Sequence, residues 1–304
     1  MGETTRRILS SAVLVPLFIF VINYTGLFFL QLYIFLLVGV YIGLSEFYAF
    51  SNRGEEGRPF TKTGHLFAFI ILTIFYLNML ATQTKVVVPE QLANVSRYFS
   101  VYGEWILPIF LVLFIICYIN QILTRPLEGA IFSTSATIAG VLYLVLPFGL
   151  FMKLVSLKAG IYYIWIVAGL TFLTDAGAYF GGRWFGRHPA GLKISPKKTW
   201  EGYVTGLITS VVYTVVVNQF WEQATGDKPI LGFAELIPLT IILSFVSVAG
   251  DLAESAMKRD AKLKDSASVI PGHGGLLDLA DAMMFTLPCF YFYLFIKQTL
   301  GYSI

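Results

Sequence analysis

Long apolar runs alternate with short polar segments along the whole chain. Each run has about the length that a helix needs to cross roughly 30 Å of hydrocarbon. The pattern therefore predicts an all-α, polytopic membrane protein with about nine transmembrane helices. The predicted spans are 8–24, 27–49, 65–82, 104–122, 130–152, 160–182, 203–220, 235–257 and 281–300.

The composition agrees with a membrane protein. Of the 304 residues, 57% are hydrophobic and 13% are charged, whereas a soluble globular protein has about 25% charged residues. No second, soluble domain is expected, because the longest non-apolar stretches have only about twenty residues. We predict one integral membrane domain over 1–304, with scaffold helices in 1–158 and catalytic helices and cytoplasmic loops in 159–304.

The basic residues predict the orientation. With the N-terminus inside, 15 of the 21 lysines and arginines fall on the inner side and 6 on the outer side. The positive-inside rule then places the N-terminus in the cytoplasm and the C-terminus outside. We expect a multi-pass protein of the cell (inner) membrane.

Several carboxylates lie within or beside the apolar runs. They are Glu46, Asp175, Asp251, Glu254, Asp278 and Asp281. A charge at the centre of a membrane helix costs about 2.5–3.5 kcal/mol, so such groups are normally paired, metal-bound or in contact with water. Glu46 stands alone near a helix end, which favours structural pairing or interfacial solvation. The others belong to the C-terminal half, where they can converge.

Helical geometry groups the acidic residues further. Asp251, Glu254 and Lys258 project from one face of a helix. Asp278 and Asp281 are also three residues apart, at the start of the last helix. Helix capping explains Asp278 alone, but it explains Asp281 less well because one cap is enough. Neighbouring acidic pairs need cations between them, and oxygen-only ligands favour Mg²⁺.

Two basic segments and a glycine-rich turn accompany these carboxylates. KRDAKLK (258–264) and KISPKK (193–198) offer cations for phosphate groups, although each is also typical of a positive-inside anchor or of lysines facing lipid headgroups. PGHGG (271–275) has backbone amides that an anion can approach, although by itself it indicates only a tight turn.

A further glycine-rich segment, DAGAYFGGRWFG (175–186), superficially resembles a nucleotide-binding loop. Small residues at this spacing in a membrane helix more often allow close helix packing. We therefore interpret Gly177, Gly181 and Gly182 as packing residues, and Asp175 as the functional candidate of this helix.

Two stretches together resemble a known family. One reads Ser255-x-x-Lys258-Arg259-x₄-Lys264-Asp265 and continues as Pro271-x-x-Gly274-Gly275-x-x-Asp278-x-x-Asp281; the other reads Ser195-Pro-Lys-Lys-Thr-Trp-Glu201-Gly202. With Asp175-x-Gly-Ala-Tyr, they resemble the phosphatidate cytidylyltransferases, which are the CDP-diacylglycerol synthases. The resemblance covers about 175–285, and the first half of the chain matches only as apolar helices.

The resemblance implies a Mg²⁺-dependent reaction in which phosphatidate attacks the α-phosphorus of CTP. It also implies K⁺ as a second cation, a homodimer in the lipid bilayer, and no nucleic-acid partner. By that analogy Asp251, Asp278 and Asp281 hold the metal, joined by Asp175, and Lys258 takes part in catalysis. The family pattern has Arg where this chain has Leu279.

The remaining site residues are expected to bind substrate. Lysines and Arg259 would contact phosphates, Gly274 and Gly275 would admit the nucleotide, Glu201 would orient a lysine, and His273 would contact phosphate or base. The full set is Ser195, Lys197, Lys198, Thr199, Glu201, Arg259, Lys264, His273, Gly274 and Gly275.

Three alternatives use the same residues. A CTP-dependent transferase or kinase for another membrane lipid would need the same site. An ion-coupled transporter would use Asp175, Asp251 and Asp281 as a relay, but it predicts inverted repeats that the chain does not show. A non-catalytic scaffold would require that Leu279 has inactivated the site.

Overall fold

A computed structural model describes residues 3–24, 26–83, 86–101, 105–263, 266–267 and 274–302. Within these ranges the chain forms helices and no β-strand. Eight helical segments of the described chain are long and apolar enough to cross a membrane, and Ala12–Asn23 is a shorter apolar stretch. The all-α, polytopic membrane fold is therefore confirmed, while the orientation of its ends stays a prediction.

The helices of the described residues follow the predicted runs closely. They are α1 Glu3–Asn23, α2 Leu30–Phe50, α3 Thr61–Thr82, α4 Glu90–Val101, α5 Ile106–Thr124, α6 Ala130–Gly140, α7 Leu146–Ser156, α8 Gly160–Phe185, α9 Trp200–Thr225, α10 Phe233–Asp260, α11 Leu276–Ala280 and α12 Met283–Thr299. A π-helical turn, Val141–Val145, joins α6 to α7, so both belong to one predicted span. Helix α4 was not predicted, because its sequence is too polar for a span.

The chain divides into two compact units. The N-terminal unit comprises Met1–Leu157 and Ala261–Leu279, and the C-terminal unit comprises Lys158–Asp260 and Ala280–Ile304. The assignment of scaffold and catalytic roles to residues 1–158 and 159–304 stays a prediction. The segment 261–279, however, groups with the N-terminal unit.

In the N-terminal unit, α3 packs against α2, α4, α5 and α7. Two buried polar groups there, the Tyr48 hydroxyl and the Phe60 amide, are paired within the protein. The Tyr48 hydroxyl donates to the carbonyl of Thr137 at 2.8 Å, and the Phe60 amide donates to the Thr137 hydroxyl at 2.8 Å. Such pairing is required in hydrocarbon, where no water replaces a missing bond.

In the C-terminal unit, α8 and α9 pack through small residues. A Cβ atom on Gly177 would lie 2.6 Å from the Thr209 hydroxyl oxygen, and one on Gly181 would lie 1.7 Å from that of Thr205. A side chain at either position would separate the helices. The interpretation of these glycines as packing residues is confirmed.

Hydroxyl groups also connect the helices of the C-terminal unit. In membrane proteins, where lipid is as apolar as leucine, such bonds and small-residue packing hold helices together. The pairs are Thr171 with Thr286 at 2.9 Å, Ser210 with Ser244 at 2.7 Å, and Thr214 with Thr240 at 3.1 Å.

Candidate active site

Three carboxylates of the C-terminal unit form a cluster. Asp175 lies on α8, Asp251 lies on α10, and Asp281 lies in the turn that precedes α12. Asp281 interacts electrostatically with both of the others, and Asp175 also interacts with Asp251 and Lys198. We call Asp175, Asp251 and Asp281 the carboxylate cluster.

A glycine allows two members of the cluster to approach. Gly250 directly precedes Asp251, and a Cβ atom there would lie 2.9 Å from the Asp281 carbonyl oxygen and 3.0 Å from the Cα of Ala282. No side chain fits in that space. The turn at Asp281 can therefore lie directly against α10.

The cluster concentrates negative charge in a partly dry environment. The Asp281 residue is only 8% exposed, and its Oδ1 accepts a 2.6 Å hydrogen bond from the amide of Ala282. Like charges at such sites repel strongly unless cations compensate them. Two lysines provide part of that compensation.

The first lysine is Lys198. Its Nζ pairs with Asp251 Oδ2 and lies 5.8 Å from the ring centroid of Tyr203. The second, Lys258, pairs with Glu254, which is completely buried one turn earlier on α10, and it interacts electrostatically with Asp281. The shared helix face that was predicted for Glu254 and Lys258 is confirmed by this pair.

A folded-back loop carries Lys198. The Lys198 amide donates to the Ser195 carbonyl at 3.2 Å, which closes a turn with Pro196 at its second position. The Ala190 amide in turn donates to the Lys198 carbonyl at 2.8 Å. Lys198 is half-buried beside the cluster, whereas Lys197 is exposed.

The end of the same loop starts helix α9. Thr199 is its N-cap residue, and the Thr199 hydroxyl accepts from the Gly202 amide at 3.2 Å. Glu201 accepts from Nδ1 of His188 at 2.5 Å and from the His188 amide at 3.2 Å. The described side-chain partner of Glu201 is thus His188, and the expectation that Glu201 orients a lysine stays a prediction. His188 was missed because no spacing rule pairs residues across an irregular loop.

Asp278 has different surroundings, in the N-terminal unit. Its Oδ2 accepts from the Ser266 amide and hydroxyl, each at 2.9 Å, and from the Gly275 amide at 2.8 Å. Asp278 is the third residue of α11, so the last of these bonds is half of a capping box. The capping interpretation is therefore confirmed for this oxygen.

Glu46, on α2, caps the same short helix. It is 5% exposed; Oε1 accepts from the Leu276 amide at 2.9 Å, and Oε2 accepts from the Leu277 amide at 2.9 Å and the Ser266 hydroxyl at 3.0 Å. The expected structural pairing is confirmed. Its partners, some 220–231 residues away, are not predictable from sequence spacing.

The glycines of the turn contact these carboxylates. A Cβ on Gly275 would lie 2.0 Å from the Ser266 hydroxyl oxygen and 2.5 Å from Glu46 Oε2. Gly274 has a φ of +93°, and a Cβ there would lie 2.6 Å from Asp278 Oδ2. Their described contacts are thus with the chain's own carboxylates, whereas we expected them to leave room for a nucleotide.

The shared helix face expected for Asp278 and Asp281 is wrong. Helix α11 ends at Ala280 and α12 begins at Met283, so Asp278 lies in α11 whereas Asp281 lies in the break that follows it. Leu279 is half-buried in α11, and Arg259 is exposed at the end of α10. Lys264 and His273 lie outside the described residues.

The donor chemistry of the cluster fits Mg²⁺. It consists of carboxylate oxygens, without the imidazole or thiolate that softer metals prefer. No three such groups of the described chain lie close enough to surround one metal ion. Mg²⁺ does not need them, because it is usually held by one or two carboxylates, with water and substrate phosphates completing its shell.

Comparisons with known proteins give a consistent result. A family model described as the cytidylyltransferase family matches residues 5–297. The phosphatidate cytidylyltransferase of Haemophilus influenzae is 42% identical over 139 residues, which are 45% of this chain and 47% of that protein. The Bacillus subtilis phosphatidate cytidylyltransferase is 36% identical over 154 residues, 50% of this chain and 55% of that protein.

A plant protein is similar over a shorter region. The chloroplastic phosphatidate cytidylyltransferase 4 of Arabidopsis thaliana is 45% identical over 115 residues, which are 37% of this chain and 27% of that protein. The chain thus spans about half the length of the bacterial relatives, and less of the plant relative.

Proposed function

The chain belongs to the cytidylyltransferase family, and we propose that it transfers the cytidylyl group of CTP to phosphatidate. The products would be CDP-diacylglycerol, an intermediate of phospholipid biosynthesis, and pyrophosphate, the leaving group. The observation that carries this proposal is the carboxylate cluster with Lys198 and Lys258, built at the ends of apolar helices. Such a site combines phosphate-binding charge with access to a lipid.

In the proposed reaction the protein has little covalent chemistry to perform. A phosphate oxygen of phosphatidate attacks the α-phosphorus of CTP, and the bond between that phosphorus and the oxygen leading to the β-phosphorus breaks. Phosphatidate is largely ionised near neutral pH, so it is already a nucleophile. Catalysis by alignment and charge neutralisation, rather than by a strong base, is typical of phosphoryl-group chemistry.

The lysines would bind the phosphates. Lys198 now pairs with Asp251, and a bound triphosphate would offer it a second anionic partner at the same place. Lys258 would act in the same way, with Glu254 holding its side chain in position. Lys197, Arg259 and Lys264 are proposed to make outer phosphate contacts, and Ser195 and Thr199 to shape the loop around Lys198.

Metal ions complete the proposal. Asp251 and Asp281 would hold Mg²⁺, with Asp175 beside them, and Asp278 remains a ligand proposed from the resemblance alone. When bound, Mg²⁺ neutralises phosphate charge and fixes the geometry of the triphosphate. K⁺ is proposed as a second cation. The protein is proposed to act as a homodimer in the cell (inner) membrane.

The position of a radioactive label tests the reaction. The full chain is purified in detergent and given phosphatidate, Mg²⁺ and CTP labelled at either the α- or the γ-phosphorus. We expect lipid-soluble label from α-labelled CTP and labelled pyrophosphate from γ-labelled CTP.

Each alternative function gives a different distribution of the radioactive label in this experiment. A lipid kinase would transfer the γ-label to lipid, and a transporter would transfer neither label. A cytidylyltransferase for another lipid would use a different acceptor, such as an isoprenoid phosphate, in preference to phosphatidate. Failure of α-label to enter any lipid would overturn the proposed function.

A further inference from the structure

We propose that Glu46 is a positioning residue, which sets the place of Asp278 and of the α11 N-terminus by capping that helix from α2. Its expected effect on catalysis rests on the proposed function. Its effect on the local structure does not. The inference gives a role to a residue in the first half of the chain, which has no recognisable motif.

The burial of Glu46 requires specific compensation. The side chain is inside the N-terminal unit at 5% exposure, where an unpaired carboxylate is strongly disfavoured. Its two oxygens accept bonds of 2.9–3.0 Å from the amides of Leu276 and Leu277 and from the Ser266 hydroxyl. Bonds to an ionised acceptor are stronger than neutral ones. The carboxylate therefore bonds both to Ser266 and to the start of α11.

One hydroxyl group, that of Ser266, lies between Glu46 and Asp278 and has a single proton for the two carboxylates. The Ser266 Oγ lies 3.0 Å from Glu46 Oε2 and 2.9 Å from Asp278 Oδ2. Asp278 Oδ2 is also held by the amides of Ser266 and Gly275. A shift of Glu46 therefore moves donors that Asp278 uses, so the positions of the two carboxylates are coupled.

The charge of Glu46, and not only its shape, is needed for this arrangement. Both oxygens face backbone N–H groups, so each must accept. In Glu46→Gln the new amide group would have to turn an N–H toward one of these backbone donors. The substitution keeps size and packing while it removes one accepted bond and introduces a contact between two donors.

The test compares Glu46→Gln with the unchanged full chain in detergent. Hydrogen exchange measured by mass spectrometry should become at least about tenfold faster in peptides that contain Gly275, Leu276 and Leu277, because a charge-assisted bond is lost. The Mg²⁺ concentration for half-maximal turnover and the KM for CTP should each rise about tenfold. We expect kcat at saturating Mg²⁺ and CTP to stay within about threefold of the unchanged chain.

A readout without turnover accompanies these measurements. Mg²⁺ with CTP should raise the Tm of the unchanged chain, and Glu46→Gln should need about ten times more Mg²⁺ for the same rise. Glu235→Gln is the matched control. Glu235 is another carboxylate on a membrane helix and is paired with Lys297 at 2.6 Å, yet it lies 16 residues from Asp251 on α10, or roughly 24 Å along the helix.

The possible outcomes separate the two proposals. Unchanged exchange around Gly275 in Glu46→Gln would overturn the positioning role, whatever the activity. A loss of kcat alone, with the Mg²⁺ and CTP requirements unchanged, would show a merely structural residue and would also overturn it. Ser266→Ala provides the same test if Glu46→Gln does not fold, with smaller changes expected in the same direction. If the unchanged chain showed no cytidylyltransferase activity, this result would contradict the proposed function but not the positioning role of Glu46.

Discussion

The two units hold buried carboxylates in opposite ways. In the N-terminal unit, Glu46 and Asp278 are surrounded by backbone amides and the Ser266 hydroxyl, which are neutral donors fixed by the fold. In the C-terminal unit, Asp251 is paired with the charged side chain of Lys198, and Asp281 accepts a bond only from its own neighbour among the described hydrogen bonds.

This difference indicates that the two groups of carboxylates have different roles. A backbone amide cannot leave its carboxylate without unfolding the turn, so the donors around Glu46 stabilise one geometry. A lysine can exchange a carboxylate for a phosphate group without any change in the backbone. The carboxylate cluster is therefore the proposed binding and reaction centre, and the neutral donors around Glu46 and Asp278 are proposed to fix the positions of these two carboxylates.

The largest effect is expected for Asp281→Asn. Asparagine keeps the size of the side chain and its acceptor for the Ala282 amide, but it removes a charge that is proposed to hold Mg²⁺. We expect turnover to fall about a thousandfold or more, since metal stabilisation contributes several kcal/mol and each 1.36 kcal/mol is tenfold. Labelled CDP-diacylglycerol formation measures the change, and Glu235→Gln is the control.

The fold should survive this substitution. Removal of one of three like charges relieves repulsion, so the Tm should stay the same or rise. If turnover of the Asp281→Asn protein stayed within about tenfold of that of the unchanged chain, the assignment of Asp281 to the reaction centre would be wrong.

Adjacent lysines provide the next comparison. Lys198→Ala should lower kcat/KM about 100-fold, because a charge-assisted contact to phosphate is worth about 1.5–3 kcal/mol. Lys197→Ala should lower it less than about fivefold, since Lys197 is exposed on the same turn. Steady-state kinetics with varied CTP measure both. If the two substitutions lowered kcat/KM equally, the total charge of the loop would determine activity, and the contact between Lys198 and Asp251 would not.

A smaller effect is expected where the backbone of α10 approaches Asp281. Gly250→Ala would bring a methyl group within 2.9 Å of the Asp281 carbonyl oxygen, and such overpacking costs about 1–3 kcal/mol. We expect about tenfold lower turnover and a lower Tm. The control is Gly232→Ala, where no atom lies within 4 Å of the added methyl group. A Gly250→Ala protein as active and stable as Gly232→Ala would show that this approach is not needed.

The smallest effect is expected at the start of α9. His188→Ala removes the partner of Glu201, but the His188 side chain is 77% exposed and exposed pairs contribute little. We expect the KM for CTP to rise less than about fivefold, and Glu201→Gln to have the same effect. A loss of 100-fold in Glu201→Gln alone would show instead that Glu201 contacts substrate.

Much of the fold could be predicted because hydrophobic runs reflect a one-dimensional requirement, the thickness of the membrane. Most predicted spans agree with the observed helices to within a few residues, as α10 and its predicted range 235–257 illustrate. The polar helix α4 was missed for the same reason, since it lacks the length and apolarity of a span. The break after Ala280 was missed because no glycine or proline marks it in the sequence.

The candidate site was predictable where it depends on neighbours in sequence. The pair of Glu254 with Lys258 follows from helical spacing. The contacts of Glu46 with residues after 265 and of Glu201 with His188 depend on how distant segments pack, and no local pattern carries that information. The tight turn predicted for 271–275 lies partly outside the described residues, and the approach of Gly274 and Gly275 to Asp278 and Glu46 became visible only in three dimensions.

Cation binding tests the central claim most directly, because it does not depend on the identity of the lipid. Mn²⁺ replaces Mg²⁺ as a paramagnetic probe, and electron paramagnetic resonance counts the ions bound by the unchanged chain, Asp281→Asn and Glu235→Gln, each with CTP present. We predict CTP-dependent Mn²⁺ binding by the unchanged chain and by Glu235→Gln, and its loss in Asp281→Asn. Equal Mn²⁺ binding by all three proteins would contradict the assignment of the carboxylate cluster as the reaction centre.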